Sequence, residues 1–403
     1  MDFAYTERQT KQSHRFREIG LEHARYTDSA GFNWRAWQAV TDAGLWRLTL
    51  AEGDPFEFVA AFEALSSTMR SVGFAMAVAN QASLIDSVGA IGTSAQQAAL
   101  LPRLLNGEPG ATAISEPGTG TEIRALQTRL VDTDSGYRLD GHKYNISLAP
   151  HASLVLVAAR YDAEAQPQTA LALIDPATAG VARSKPQSTL GVRDLPIGEL
   201  RFDAVRLSPG QLLGAPRDGL RSLMRIASMN RAYFALMCAN VVQPFLTDAL
   251  IYAAGRKILD VAIDTHQHVQ RRLVDVRMRA ERSRWMALAA LGQLFSAQPE
   301  ALERCSIAKI TAAQDLTQSA LDLMAIHGSD GYRSGILSAF VADALAMISA
   351  GGTEEMHRKH IFAHMQRYRE RATHDAHMPA DTIKTAERES LDRPSAAATS
   401  AAH

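Results

Sequence analysis

The sequence predicts an α+β protein with an N-terminal helical domain (1–110), a central antiparallel β domain (111–214) and a C-terminal helical bundle (215–371), followed by a disordered tail (372–403). Apolar residues recur at helical spacing before residue 110, short strand-like runs between turn residues fill the middle, and long amphipathic stretches follow. A length of 403 residues also exceeds what one hydrophobic core usually serves, which favours several cooperating domains.

The first and second regions differ in their periodicity. From Phe56 to Leu65, apolar residues stand three and four apart, as one buried helix face requires, and Thr93 is placed to cap the following helix. Apolar runs such as 153–159 and 169–174 predict strands, and Asp140-Gly141 is a hairpin-type dipeptide. Because no helical segment separates these runs, we expect an antiparallel sheet or barrel and not a doubly wound parallel sheet.

The last third reads as three or four long helices with short connections, as in a bundle. Pro244 should interrupt the first helix, and glycines break the pattern near residue 330 and again at Gly351-Gly352. Beyond Arg371 the chain becomes polar and then rich in Ala and Ser, which predicts the disordered tail.

Composition excludes several classes of protein. Forty-two Lys and Arg against 43 Asp and Glu leave a formal charge of −1, so no basic field indicates a nucleic-acid partner. Cys238 and Cys305 cannot form a disulfide framework and are expected to be small buried side chains. The N-terminus lacks an apolar signal segment and no apolar run looks long enough to span a bilayer, so we expect a cytoplasmic protein with no membrane partner.

Two segments of the predicted β domain carry hydroxyl groups in a polar setting. Residues 112–122 read Thr-Ala-Ile-Ser-Glu-Pro-Gly-Thr-Gly-Thr-Glu, in which hydroxyls and glycine-flanked backbone can donate hydrogen bonds to a ring edge or a phosphate. Residues 141–147 follow at the distance of a hairpin. Gly118 and Gly120 alone do not make a dinucleotide fingerprint, because no third glycine or strand–helix unit accompanies them.

Together with segments 256–267, 327–332 and 351–356, in this order, these motifs resemble the acyl-CoA dehydrogenase family over 35–371. The resemblance implies an FAD-binding flavoprotein of helical, β and helical domains, usually a homotetramer, whose FAD reaches a neighbouring subunit. The implied reaction is α,β-desaturation of an acyl thioester on CoA or on an acyl carrier protein. A carboxylate removes the α proton, and the β hydrogen leaves as hydride to the flavin.

The resemblance also implies roles for individual residues. Ser115 and Ser147 match hydroxyls beside the flavin, with Asn145 at the position next to its ring, and Arg231 matches an arginine at the substrate end of its helix. The remaining matches are to positions that contact the cofactor, several of them across subunits: Thr121, Arg256, His266, Gln267, Gly328, Gly331 and Thr353.

The sequence departs from the family pattern where the chemistry is expected. The two positions that hold the catalytic carboxylate in the family are Gly351 and Asn230, and neither side chain is a base. Further departures are a family tryptophan that is Asn145, a phenylalanine that is Leu259, a glutamine that is Ala325 and an Arg-Asp pair that is Ala342-Asp343.

Other titratable residues near these motifs are the remaining candidates for a base. His327 and Glu122 are the two we retain, since Glu354 and Glu355 stand at a predicted helix start where carboxylates favour the helix dipole. A metal site is not expected, because the histidines at 357, 360 and 364 lack a carboxylate to complete a ligand set. Arginines concentrated at 271–284 predict a salt-bridged helix face or a docking surface for an anionic partner.

Three functions remain open from the sequence. The first is an FAD-dependent oxidoreductase acting on an acyl thioester with an absent or relocated base, as a homodimer or homotetramer. The second is a non-catalytic subunit of a heteromeric acyl-CoA dehydrogenase. The third is a flavin-dependent monooxygenase on the same fold, for which loss of the carboxylate would not matter.

Overall fold

The computed structural model describes residues 4–24, 31–50, 53–119, 122–162 and 167–376. Helices form the N-terminal part: α1 (Glu7–Glu22), α2 (Trp34–Asp42), α3 (Phe56–Ser66), α4 (Val72–Ile91) and α5 (Ser94–Leu105). Thr93 caps α5 as predicted: its hydroxyl accepts from the backbone N–H of Gln96, and the Gln96 side chain returns a bond to the backbone of Thr93.

A seven-stranded sheet follows, formed by β1 (Gly110–Ala113), β2 (Arg129–Thr133), β3 (Gly136–Ser147), β4 (Leu154–Tyr161), β5 (Gln168–Ile174), β6 (Val181–Arg183) and β7 (Ile197–Leu207). The strand order is β1-β4-β2-β3-β7-β6, and β5 pairs with β4. The sheet is mixed, which corrects the expectation of a purely antiparallel one: β4 runs parallel to both β1 and β2. The chain between β1 and β4 passes through the β2–β3 hairpin. In the described residues, that hairpin takes the place of the crossover helix that parallel strands usually need.

The prediction of a hairpin turn at Asp140-Gly141 is wrong. The β2–β3 turn lies at 134–135, because Thr133 pairs with Gly136, whereas Asp140 and Gly141 lie inside β3 at a shift in register against β7. A Cβ on Gly141 would lie 2.6 Å from the Cα of Thr128. The glycine therefore permits a close approach of two backbones rather than a turn.

The C-terminal part contains α6 (Gly219–Val241), α7 (Gln243–Gly255), α8 (Gln267–Phe295), α9 (Ala301–Ile326), α10 (Ile336–Ala346) and α11 (Glu354–Ala376), with the short strands β8 (Lys257–Ile258) and β9 (Val261–Ala262) after α7. Pro244 interrupts the first long helix as predicted, since α6 ends at Val241 and the proline stands in the first turn of α7. The chain divides into two compact units after His357, so the remainder of α11 belongs to the second unit. The predicted tail (372–403) starts too early, because α11 continues to Ala376, and the rest of the tail lies outside the described residues.

Helix α6 lies at the centre of the first unit, packed against α4, α8 and α9. By length and composition, α4 and the stretch Pro216–Gly255 are apolar enough to cross a membrane, which corrects the expectation that no such run exists. Within these two stretches, 72% and 67% of the apolar window is buried in the protein. Cys238 and Cys305 are buried in the same core, as predicted.

The arginines of α8 form ion pairs rather than a free basic surface. Arg272 and Arg279 both pair with Asp322 on α9, Arg282 pairs with Asp315, and Arg284 reaches Glu63 on α3. These contacts tie α8 to its neighbours, so the salt-bridged interpretation holds for the four of them.

Candidate flavin and acyl-thioester site

A buried ion pair anchors the segment that carries Ser115. The ammonium of Lys143 lies 2.8 Å from a carboxylate oxygen of Glu116, and both side chains are almost fully buried. The same carboxylate accepts the backbone N–H groups of Gln127 at 2.6 Å and Thr128 at 3.0 Å. Burial alone would raise the pKa of Glu116, but Lys143 and these hydrogen bonds outweigh it, so the net shift is downward.

This ion pair places Ser115 beside strand β3. Lys143 also donates to the carbonyl of Ile114 at 2.9 Å, and the backbone N–H of Tyr144 donates to the carbonyl of Ser115 at 2.9 Å. Asn145, the next residue, is exposed and has φ = 56°, at a point where the pairing of β3 with β7 shifts register. Ser147 ends the strand, partly buried. Ser115, Asn145 and Ser147 are thus carried on a single rigid support.

Two buried hydroxyl groups lie on either side of Ser115 in the sequence. The side-chain oxygens of Thr112 and Thr119 are buried and make no hydrogen bond within the described part of the chain. A buried hydroxyl without a partner is costly, so these oxygens fit a ligand such as a flavin ring edge or a phosphate. Thr121, which we predicted to contact the pyrophosphate, lies outside the described residues.

The turn at the first predicted base position has a left-handed backbone, with Gly351 exposed and Gly352 buried. Gly351 has φ = 73°, and a Cβ there would stand 3.1 Å from the ring of Phe234. Two cations hold the turn through its carbonyls: the Nε of Arg231 donates to Gly351 at 3.2 Å, and the ammonium of Lys309 donates to Gly352 at 2.7 Å. Thr353 follows, partly buried, immediately before α11.

Both cations are buried without a carboxylate. Arg231 is 4% exposed and Lys309 is 2% exposed, and neither forms a salt bridge with the described residues. Burial lowers the pKa of Arg231 to about 10 and that of Lys309 to about 8. The structure therefore places positive charge where the family pattern calls for a carboxylate.

The second base position is occupied by a hydrogen-bonded amide. The hydroxyl of Ser83, on α4, donates to the side-chain oxygen of Asn230 at 2.7 Å. Asn230 thus links α4 to α6 directly before Arg231. This contact gives the amide a packing role and supplies no base.

The two remaining base candidates lie in different settings. The ring of His327 stacks on Tyr252 with centroids 4.2 Å apart, and its Nδ1 lies 2.8 Å from the carbonyl of Leu323. Those contacts fix the imidazole at the end of α9, beside the turn that contains Gly328. Glu122 is exposed, and its backbone N–H closes the loop on Thr119 at 3.2 Å.

The residues predicted to reach a neighbouring subunit gather around the small β8–β9 hairpin. Arg256 precedes it and His266 and Gln267 follow it, and all three are exposed. Apolar side chains of the same hairpin are exposed as well, with Leu259 at 93%. Among the described residues, no hydrogen bond connects Arg256, His266 or Gln267 to the Gly351 turn.

Sequence reasoning missed the charged residues that organise the site. Glu116, Lys143 and Lys309 each look like ordinary surface residues in a sequence, and only the fold shows that they are buried. A cavity of about 300 Å³ lined by Asp194 and Asp343 was also not anticipated. It lies beside Ala342, where the family pattern has an arginine, and that substitution was the one available signal. Within the residues described, no three His, Cys, Asp or Glu side chains gather to hold a metal ion.

Comparison with known proteins identifies the chain's relatives. Family profiles match at residues 10–108 (acyl-CoA dehydrogenase, N-terminal domain), 111–205 (middle domain) and 217–366 (C-terminal domain). A probable acyl-CoA dehydrogenase, YngJ of Bacillus subtilis, is 27% identical over 352 residues, 83% of this chain and 91% of that protein. An L-prolyl-[peptidyl-carrier protein] dehydrogenase of Pseudomonas fluorescens is 25% identical over 387 residues, 90% of this chain and 98% of that protein.

The fold agrees with these matches. The butyryl-CoA dehydrogenase of Megasphaera elsdenii superposes with a TM-score of 0.85 at 21% identity, covering 91% of this chain and all of that one. The order of helical, β and helical domains is thus that of the acyl-CoA dehydrogenase fold. The chain belongs to the acyl-CoA dehydrogenase family, whose members are FAD-dependent oxidoreductases of acyl thioesters.

Proposed function

We propose that this protein is an FAD-dependent oxidoreductase of an acyl thioester, carried by CoA or by a carrier protein, with no carboxylate base at either usual position. The observation that carries the proposal is the rigid support of Ser115 and Ser147, held by the buried Glu116–Lys143 pair. That support would present both hydroxyls to the flavin, while the two predicted base positions, Gly351 and Asn230, would supply no carboxylate.

Each part of the site has a distinct task under this proposal. Ser115 and Ser147 would hydrogen-bond the flavin, while the unpartnered hydroxyl of Thr119, together with Thr353, would meet the phosphates. Arg231 would orient the acyl thioester at the Gly351 turn. Bound FAD supplies the acceptor for the hydride that leaves the substrate.

The visible spectrum of the purified full-length protein, titrated with FAD, tests the proposal. We expect flavin absorption to follow FAD addition, and the double substitution S115A/S147A to raise the dissociation constant for FAD by about tenfold or more, since each lost hydrogen bond is worth about 1 kcal/mol. Ser296→Ala serves as the matched control, because it removes an exposed hydroxyl directly after the end of α8. It should leave the dissociation constant unchanged. A protein that binds no FAD at any concentration would remove the proposal.

A second candidate is a non-catalytic subunit of a heteromeric dehydrogenase. The observation in its favour is that Gly351 has no side chain and that the Asn230 amide is bound to Ser83. This candidate predicts that flavin bleaching by acyl thioesters appears only on co-expression with a catalytic chain. Bleaching by the protein alone under anaerobic conditions would exclude it.

We also propose that the protein works as a homo-oligomer in the cytoplasm. Arg256, His266 and Gln267 are exposed beside the apolar β8–β9 hairpin, as a surface that meets a second copy requires. Sedimentation at micromolar concentration should show a dimer or a tetramer. A monomer that still binds FAD tightly would contradict the role given to these three residues.

A further inference from the structure

Two buried cations flank the Gly351 turn, and neither forms a salt bridge with another described residue. Arg231 extends from α6 and Lys309 from α9, and their donors converge on the carbonyls of Gly351 and Gly352. One guanidinium nitrogen of Arg231 is buried and makes no hydrogen bond within the described residues. Carbonyl dipoles satisfy donors, but they do not neutralise two charges held away from water.

The nearby groups that are able to carry negative charge are two buried thiols and the carboxylate of Glu354. Burial raises the pKa of Cys305, beside Arg231, and of Cys238, beside Lys309, to about 12, so both thiols stay neutral. Glu354 exerts the smallest of the influences on Lys309, and one of its oxygens accepts from Gln314 at 2.9 Å. The protein thus leaves an electropositive spot at this turn.

Gly351 is the part of this turn that reaches the surface, while Gly352 and the two cations are buried. The second contact of the guanidinium is the sulfur of Met356 at 3.7 Å, which is a poor acceptor on a flexible side chain. The ring of Phe234 fills the space that a side chain at position 351 would enter. An anion that pairs directly with the guanidinium of Arg231 would displace this thioether.

We propose that Arg231 and Lys309 bind a carboxylate carried by the acyl group of the substrate, so that the substrate class is an acyl thioester with a free carboxylate on its acyl chain. This inference rests on the proposed function, which names the thioester. A carboxylate suits the site because it accepts from a guanidinium and an ammonium together. It also supplies a negative charge that pairs directly with both cations.

The test compares two thioesters that differ only at the end of the acyl chain. Butyryl-CoA and succinyl-CoA both carry four-carbon acyl groups, and only the second ends in a carboxylate. Calorimetric titration of the FAD-loaded, full-length protein under anaerobic conditions should show succinyl-CoA binding at least about tenfold more tightly, as one charge-assisted hydrogen bond provides. Equal affinities would overturn the proposal, including the case in which the CoA phosphates alone account for binding.

Substitutions then assign the preference to the cations. Lys309→Met keeps the aliphatic stem, and Arg231→Gln keeps a donor, and each should abolish the preference for succinyl-CoA. Arg225→Gln is the matched control on α6, because Arg225 pairs with Asp86 and is partly exposed; its preference should equal that of the wild type. A preference that persists in Lys309→Met and in Arg231→Gln would also overturn the proposal.

A flavin-independent measurement separates this proposal from the proposed function. Free succinate should raise the thermal unfolding midpoint of the protein relative to sodium chloride at equal ionic strength, and should not do so in Lys309→Met. If no thioester binds while succinate still stabilises the wild type, the thioester function fails and the carboxylate site stands. If butyryl-CoA binds and bleaches the flavin while succinate and succinyl-CoA bring no advantage, the function stands and the carboxylate site fails.

Discussion

The two sides of the candidate site differ in the partners of their buried charged side chains. On the β-domain side, Lys143 is matched by Glu116, and the pair is further tied to the backbone at 127 and 128. On the side of the Gly351 turn, Arg231 and Lys309 are about as deeply buried, and their hydrogen bonds to described residues go to carbonyls and a thioether. A charge satisfied within the chain builds a scaffold, whereas a charge left unmatched calls for a ligand.

The largest expected effect follows from breaking the matched pair. Lys143→Met should destabilise the protein by about 3–5 kcal/mol, because it leaves the carboxylate of Glu116 buried without its partner. The free energy of unfolding in urea measures the loss. FAD binding should weaken in the same variant, since Lys143 also holds the carbonyl of Ile114 beside Ser115.

An exposed ion pair on the same strand provides the control. Arg138 pairs with Asp140 at 2.8 Å with both side chains largely exposed, so Arg138→Gln should cost about 0–1 kcal/mol and leave FAD binding intact. If Lys143→Met cost no more than the control, the pair would not be the anchor of the β-domain side.

Much of the fold was predictable from periodicity. The helix at 56–65, the Thr93 cap and the interruption at Pro244 follow from local rules, and the structure confirms them. The parallel pairing of β4 was not predictable, because it depends on which strands meet after the β2–β3 excursion. The prediction at Asp140-Gly141 failed for a related reason. The glycine is required by the close approach of Thr128, which is a tertiary contact, and not by a local turn.

Site residues could be predicted where they match a motif. They could not be predicted where their importance depends on burial in the folded protein. Ser115, Ser147, Gly351 and Arg231 stand in recognisable segments, although their roles remain predictions. The importance of Lys309 depends on its burial against the Gly352 carbonyl, which no pattern in the sequence around it reveals. The assignment of His327 as a base also stays a prediction, and its stacking on Tyr252 favours a packing role.

A smaller effect is expected at the turn itself. Gly351→Ala should cost about 1–3 kcal/mol, because the backbone has φ = 73° and the new Cβ would press against Phe234. Gly255→Ala is the matched control: no atom lies within 4 Å of its Cβ position, and its backbone is not left-handed. We expect the control to be neutral or slightly stabilising in urea unfolding. Equal costs at the two positions would show that the turn is not constrained.

A buried carboxyl group, that of Asp343, lines the cavity beside Ala342. Asp343 is 7% exposed, and its carboxylate accepts the backbone N–H of Val192 at 2.6 Å. Burial raises the pKa of Asp343 to about 7, and the carboxyl of Asp194 adds to the shift, while the Val192 hydrogen bond and Arg193 oppose it. Here, as at the Gly351 turn, a buried charge has no salt-bridge partner among the described residues, but its sign is negative.

The raised pKa of Asp343 makes the free energy of unfolding depend on pH. Because the pKa is higher in the folded than in the unfolded protein, the folded state binds the extra proton between about pH 4 and pH 7, and the free energy of unfolding falls as pH rises through that window. One group contributes at most about 1.4 kcal/mol per pH unit. Asp343→Asn keeps an oxygen for Val192, so it should flatten the profile and be more stable than the wild type at pH 8. Asp175→Asn, at an exposed acid, should leave the slope unchanged. Urea unfolding from pH 5 to pH 8 measures both variants, and an unaltered slope in Asp343→Asn would mean that Asp343 is ionised throughout the window, matched by Arg193 as Glu116 is matched by Lys143.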